Sequence, residues 1–153
     1  MGNSPIAAVV LACGLGAASC TDDQDPAGAS ELLSRVRGEG YRAWARPPGW
    51  EVRRPTSAPH AEDVDLYVNA ILGEAIDAGA PLAEWPVGSI VAKDGFEDDE
   101  LCIIALMEKR EDGWFFAEYD SDGDSFYSGA PDICTGCHTR YPSDRIRAFP
   151  LPR

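Results

Sequence analysis

The residues with the most distinctive chemistry form one short motif near the C-terminus. In D-I-C-T-G-C-H, two residues separate Cys134 from Cys137, and His138 follows at once. Thiolates and imidazoles bind zinc, a close cysteine pair can form a redox disulfide, and a histidine directly after the pair is typical of haem attachment. The rest of the chain has to distinguish these three kinds of site.

The scarcity of further cysteine and histidine ligands favours haem attachment over a zinc site. A structural zinc site needs four protein ligands, and outside the first twenty residues the only other cysteine and histidine are Cys102 and His60. Cys102 lies in the apolar run L-C-I-I-A-L-M and is typical of a small buried side chain. A redox pair of the thioredoxin kind has no need of the adjacent histidine. Haem c uses all three residues, since the thiols add to its vinyl groups and the histidine binds its iron.

The N-terminal segment predicts export. The stretch from Ile6 to Ser19 is apolar but too short to cross a bilayer as a stable helix, which is typical of a secretory signal. The residues A-A-S-C, which end at Cys20, resemble a lipobox, although no Lys or Arg precedes the apolar run and Cys13 is a rival acceptor. We predict a signal peptide over residues 1–19, lipid on Cys20 and a linker over 20–30. A plain cleaved signal peptide is the alternative.

This placement fits the cofactor, because haem c is assembled outside the cytoplasm. We therefore expect a periplasmic protein that is held to a bacterial membrane by lipid alone. The chain carries 26 acidic residues against 13 basic ones, a net charge of −13. This charge opposes binding to nucleic acid or anionic lipid and would suit a basic partner.

The positive charges cluster in one part of this acidic chain. Five of the 13 lie in a segment rich in aromatic residues and proline; they are Arg37, Arg42, Arg46, Arg53 and Arg54. The segment is either an exposed loop or a set of cations that meet carboxylates, such as the propionates of haem.

Hydrophobic patterning predicts one domain over residues 31–153. Ser30 is placed to cap a short helix that ends at Gly38, and the alternation in V-D-L-Y-V-N indicates a strand before a second helix. A helix running from Val64 throughout is the alternative. Three β-rich runs follow, G-S-I-V-A-K, L-C-I-I-A-L-M-E-K-R and G-W-F-F-A-E-Y, and their short acidic connections favour antiparallel pairing. We predict an α+β fold, mainly β: an antiparallel sheet flanked by short helices.

No second axial ligand for a haem iron is evident. Only 15 residues follow His138, none of them Met or His, and the one internal methionine, Met107, lies upstream in a β-run. His60 is the remaining candidate, and a surface or hydrogen-bonded histidine is its alternative. We therefore expect a five-coordinate iron, which would bind small molecules in preference to shuttling electrons.

The order of several short motifs resembles that of one family. Along residues 38–152 the chain reads Y-R-A-W, S-A-P-H, L-Y-V-N, W-P-V-G-S-I-V-A-K, A-L-M-E-K-R, W-F-F-A-E-Y, C-T-G-C-H and A-F-P-L-P. This order resembles the cytochrome P-460 family, which includes cytochrome c′-beta. The resemblance implies a mainly β haem c fold, often a homodimer, with an open distal pocket. P-460 members oxidise hydroxylamine and carry a lysine bonded to the haem. The c′-beta members lack that bond and bind gases such as nitric oxide in an apolar, phenylalanine-lined pocket.

The resemblance assigns roles to individual residues. Cys134 and Cys137 would form the thioethers, and His138 would be the proximal ligand. Lys93 is the candidate for the haem crosslink, with an exposed lysine at a strand end as its alternative. Trp85 and Phe96 are candidates for the distal pocket, with core packing as the default for both. A base for substrate deprotonation could be Glu97, Asp98, Glu100 or Glu118.

Three functions remain open from the sequence. The first is an oxidoreductase that acts on a small nitrogen compound and passes electrons to a carrier protein. The second is a cytochrome that binds or senses a gas through an apolar pocket. The third is a simple electron carrier without ligand chemistry.

Overall fold

The computed structural model describes residues 24–56 and 59–153. The predicted signal peptide, Cys13 and Cys20 lie outside these residues. Within the described part of the chain, no helix is both long enough and apolar enough to cross a membrane.

A six-stranded antiparallel sheet forms the body of the domain, and its strands are neighbours in chain order. The tight β3–β4 turn places Asp98 and Asp99 in the left-handed region, as two-residue hairpin turns require. The strands are β1 Arg54–Pro55, β2 Asp63–Val68, β3 Ile90–Glu97, β4 Glu100–Arg110, β5 Gly113–Asp120 and β6 Ser125–Gly129. The mainly β fold class is thereby confirmed, and the alternative of a continuous helix from Val64 is wrong.

Three short helices flank the sheet: α1 Pro26–Gly38, α2 Ala70–Ala78 and α3 Asp132–His138. The first helix begins earlier than predicted, because the side chain of Asp25, not Ser30, caps it by accepting a hydrogen bond from the Gly28 amide. Residues 26–30 are therefore helical and do not belong to a linker. Asn69 caps α2, and Gly79 ends it in the left-handed conformation.

The sheet buries both of its faces. On one face, Ile104 and Leu106 pack with Leu32 and Val36 of α1. On the other face, Phe116 belongs to a second apolar cluster that includes residues of the C-terminal segment. This explains why β4 is apolar on both sides, since α1 packs on one face and the C-terminal segment on the other. The second face also carries the cavity described next.

Candidate functional site

A cavity of about 450 Å³ lies between the second face of the sheet and α3. Its volume falls within the range of about 300–1,000 Å³ that is usual for small-molecule and cofactor sites. Most of its walls are apolar, with Leu66, Val91 and Phe116 on the sheet side and Ile146 and Ala148 on the side of the C-terminal segment. The cavity can therefore hold a largely apolar group.

The sheet presents one cross-strand row of side chains to this cavity. Register places Leu66 beside Lys93, Lys93 beside Ala105, Ala105 beside Glu118 and Glu118 beside Tyr127. All five residues line the cavity. Side chains directly opposite one another on paired strands share a face, so a lysine and a carboxylate flank the small side chain of Ala105.

The Cys-x-x-Cys-His motif forms most of α3 and lines the opposite wall. Positions three and four apart share a helix face, which brings Cys134, Cys137 and His138 to the same side. Burial, with a smaller contribution from the charge of Glu118, raises the pKa of the Cys134 thiol to about 11. The Arg147 guanidinium donates a hydrogen bond to Cys137 Sγ at 3.2 Å.

His138 is oriented by a backbone carbonyl. Its Nδ1 lies 2.8 Å from the carbonyl oxygen of Arg145. Because a carbonyl can only accept, Nδ1 carries the proton, and Nε2 keeps a free lone pair. Burial lowers the pKa of His138 to about 4, although the bond to Arg145 opposes this effect. The imidazole is therefore neutral at physiological pH, with its ring centre 5.1 Å from that of Phe116.

Lys93 and Glu118 are the charged residues on the sheet wall of the cavity. Burial lowers the pKa of Lys93 to about 8, and the negative charge of Glu118 partly offsets the effect. Glu118 Oε2 lies 2.6 Å from His60 Nδ1, although the two groups are not aligned as a hydrogen bond. The sequence offered His60 as an axial ligand or as a surface or hydrogen-bonded histidine, and it gave no sign of the pairing with Glu118.

The loop that carries His60 crosses close above β3. A Cβ atom at Gly95 would lie 2.5 Å from the carbonyl oxygen of His60 and 2.8 Å from Ala61 Cβ. Only glycine therefore permits this approach. Of the four candidate bases, Glu118 alone lines the cavity, whereas Glu97, Asp98 and Glu100 lie at the β3–β4 turn.

The two predicted distal aromatics do not line the cavity. Trp85 is buried in the core, where its ring packs edge-on against Phe149 with 5.7 Å between centres. Phe96 lies beneath the guanidinium of Arg53, whose Cζ is 3.4 Å from the ring centre. Phe96 is three residues from Lys93 on β3, so strand alternation places its side chain on the other face of the sheet. Phe116 is the phenylalanine that does line the cavity.

The clustered arginines do meet carboxylates, but the carboxylates belong to the protein. Arg42 Nε lies 2.5 Å from Asp94, and Arg46 and Arg53 both pair with Asp65. Arg54 donates to the Gly49 carbonyl. None of these four lines the cavity, and the hypothesis that they bind propionates stays a prediction. The cations at the cavity are Lys93 and Arg147.

Cys102 lies apart from the motif. Its thiol donates to the carbonyl oxygen of Gly95 at 3.3 Å, and it does not line the cavity. It therefore cannot join Cys134 and Cys137 in a shared ligand set. The donors that do converge are two thiols and one neutral imidazole, which is the set that haem c requires.

No protein-family model matches the chain, and no curated protein or solved structure matches it significantly. The resemblance to the cytochrome P-460 family therefore rests on the ordered motifs alone. The mainly β fold agrees with that resemblance, but a fold class hosts many functions. The chemistry of the cavity has to carry any functional assignment.

Proposed function

We propose that the protein is an exported c-type cytochrome of the P-460 type, which binds or oxidises a small nitrogen ligand such as hydroxylamine or nitric oxide. Cys134 and Cys137 would hold haem c through thioethers, and His138 would bind its iron. One observation carries the proposal: both thiols and a neutral, Nδ1-protonated imidazole share a helix face that borders a largely apolar cavity.

The residues of the cavity fit this cofactor. Haem c, when bound, supplies an iron that takes small ligands and exchanges electrons. Leu66, Val91 and Phe116 would exclude water from its faces. The Arg147 guanidinium, at the cavity wall, could pair with a carboxylate of the group.

The polar row supports chemistry on a protonated nitrogen ligand. Glu118 is placed to accept a proton from such a ligand, and His60 Nδ1 lies 2.6 Å from its carboxylate. Lys93 is the crosslink candidate, and its depressed pKa leaves part of its amine neutral and nucleophilic near pH 8. Electrons would leave to a separate carrier protein, for which the acidic surface favours a basic partner.

A simple electron carrier is the second candidate, because Met107 lines the same cavity. Methionine opposite histidine is a common ligand pair in electron-transfer cytochromes. Register, however, pairs Met107 with Phe116, whose ring contacts that of His138. Met107 is therefore a neighbour of the residue that packs against His138, and the spectrum of the haem-loaded protein decides whether it would bind the iron.

Attachment of haem is tested by exporting the protein in a host that matures c-type cytochromes. We expect haem to stay with the denatured polypeptide and to be lost from the Cys134→Ala/Cys137→Ala variant. Cys102→Ala is the matched control, since this thiol lies outside the cavity, and it should keep its haem. Absence of covalent haem from the wild-type protein would overturn the proposal.

The optical spectrum separates the two candidate functions. A high-spin, five-coordinate ferrous spectrum that changes on addition of nitric oxide is expected from the open site. A low-spin spectrum that becomes high-spin in Met107→Leu would instead establish Met107 as a ligand and favour electron transfer. Turnover of hydroxylamine with an artificial electron acceptor then distinguishes an enzyme from a gas-binding cytochrome.

Export and lipid attachment belong to the same proposal and rest on the N-terminal sequence. Incorporation of labelled fatty acid should be abolished in Cys20→Ala and retained in Cys13→Ala. The reverse pattern would move the acceptor to Cys13. Incorporation in neither variant nor wild type would favour a plain cleaved signal peptide.

A further inference from the structure

The loop that orients His138 has an unusual backbone. Asp144 and Arg145 are consecutive residues with φ values of 47° and 68°. Side chains with a Cβ rarely adopt this left-handed region, and two in succession persist only where surrounding contacts hold them. The loop therefore depends on specific anchors.

Asp144 supplies those anchors through both of its carboxylate oxygens. Oδ2 accepts a hydrogen bond from the Trp85 amide at 2.9 Å, and Oδ1 accepts one from Trp114 Nε1 at 3.0 Å. The ammonium of Lys109 lies 3.0 Å and 3.2 Å from the two oxygens. The Asp144 side chain is only 15% exposed, so these contacts are shielded from water.

The anchors extend to the residues on either side. Trp85 Nε1 donates to the Ser143 carbonyl at 3.2 Å, and the Ser143 hydroxyl donates to the Ile146 carbonyl. Between these fixed points lies the carbonyl of Arg145, which accepts the hydrogen bond from His138 Nδ1. The position of that carbonyl is thus set by contacts with β4, β5 and the segment around Trp85.

We propose that Asp144 is a positioning residue for His138. It fixes the 143–146 loop so that the Arg145 carbonyl holds the imidazole in one tautomer, with Nε2 free to bind iron. The inference rests on the proposed function, because it assigns His138 as the axial ligand. Partners of this kind orient metal-binding histidines and increase their basicity.

Asp144→Asn is the informative variant. Asparagine has almost the same shape and tolerates the left-handed backbone, but it loses the charge that Lys109 faces and one of the two acceptor oxygens. Trp114→Phe is a milder second variant, since it removes a single donor to Asp144 and keeps an aromatic ring. Asp65→Asn is the matched control, because Asp65 is also a buried aspartate paired with cations, Arg46 and Arg53, but it does not line the cavity.

The measurements are resonance Raman of the ferrous iron–histidine band and the midpoint potential of the haem-loaded protein. A weaker Nδ1–H bond makes imidazole a poorer donor, so Asp144→Asn should lower the band frequency and raise the potential. A tenfold shift in the ferric–ferrous equilibrium corresponds to about 59 mV. Trp114→Phe should shift both quantities less in the same direction, and Asp65→Asn should shift neither.

Unchanged band and potential in folded, haem-loaded Asp144→Asn and Trp114→Phe would overturn the inference. The same shift in Asp65→Asn would also overturn it, since general loss of stability would then explain the result. A wild-type protein without haem would overturn the proposed function. In that case nitrogen NMR of the His138 ring decides the inference: a pure Nδ1-protonated tautomer that becomes mixed in Asp144→Asn supports it, and an unchanged ring opposes it.

Discussion

Lys93 and Glu118 face one cavity from β3 and β5, and Ala105 is the only residue between them in the cross-strand row. Adjacent strands lie about 4.8 Å apart, so the two backbones are separated by about 10 Å. The methyl group of Ala105 fills little of that width. The row thus leaves room for a small ligand between an amine and a carboxylate.

Ala105→Leu should close this space. We expect the haem-loaded variant to bind nitric oxide at least tenfold more weakly, because the larger side chain occupies the volume between Lys93 and Glu118. Overpacking should also reduce the free energy of unfolding by about 1–3 kcal/mol. Ligand titration followed by the haem spectrum measures the first effect, and denaturant unfolding measures the second.

Ala92→Leu is the control for this prediction. Ala92 on β3 is buried in the apolar cluster on the opposite face of the sheet and does not line the cavity. The same increase in volume there should destabilise the protein but leave nitric oxide affinity unchanged. Equal losses of affinity in the two variants would show that the effect comes from general distortion of the sheet.

Glu118→Gln should impair oxidation of hydroxylamine while haem attachment is retained. A positioned base contributes about 10²–10⁴-fold to a rate, and glutamine cannot accept the proton. The change should appear in kcat with haem content constant. Glu97→Gln and Glu100→Gln, at the β3–β4 turn, should retain wild-type rates. Full activity in Glu118→Gln would remove this residue from the reaction.

Lys93→Met should stabilise the haem-free protein at neutral pH. Burial lowers the folded-state pKa of Lys93 from 10.5 to about 8. The unfolded chain therefore binds more protons between about pH 8 and 10.5, and wild-type stability should rise with pH across this window. At pH 7 the partly buried charge opposes folding by at most about 3 kcal/mol. Unfolding in the Cys134→Ala/Cys137→Ala background measures the effect.

Lys109, the other lysine of the chain, is the control, because its pKa is shifted in the opposite direction. Burial opposes the charge of Lys109, but its hydrogen bonds to Glu84 and Asp144 outweigh burial and raise its pKa. Its contribution to stability is present below the unfolded-state pKa and is lost as pH rises through the folded-state value. Lys109→Met should therefore destabilise the protein at pH 7. If Lys93→Met also lowers the free energy of unfolding at pH 7, the conclusion that the charge of Lys93 opposes folding is wrong.

The features predicted correctly from the sequence depend on residues that are close together in the chain. Alternation and apolar runs report local conformation, so β2 to β5 and α2 could be identified. Cys134, Cys137 and His138 could be grouped because one helix turn brings them together. Lys93 was singled out through the resemblance and lines the same cavity, but its crosslink to haem stays a prediction.

The features that were missed depend on residues distant in the chain. Trp85 and Asp144 are 59 residues apart, and no local pattern indicates that the tryptophan anchors that loop. Phe96 lies against the guanidinium of Arg53 on a distant segment, and no local pattern indicates this contact. The arginine partners are carboxylates on other elements, so charge clustering alone could not distinguish Asp65 and Asp94 from a cofactor.

Gly95→Ala should displace the loop that carries His60. The added methyl would overlap the His60 carbonyl at 2.5 Å, a backbone atom that cannot move without the loop. We expect a loss of about 1–3 kcal/mol in the free energy of unfolding and a slower reaction with hydroxylamine, because Glu118 would lose its neighbour. Gly38→Ala, where a Cβ meets nothing within 4 Å, should leave activity unchanged. Chemical denaturation and steady-state kinetics of both variants test this, and wild-type behaviour of Gly95→Ala would show that the loop is not held against β3.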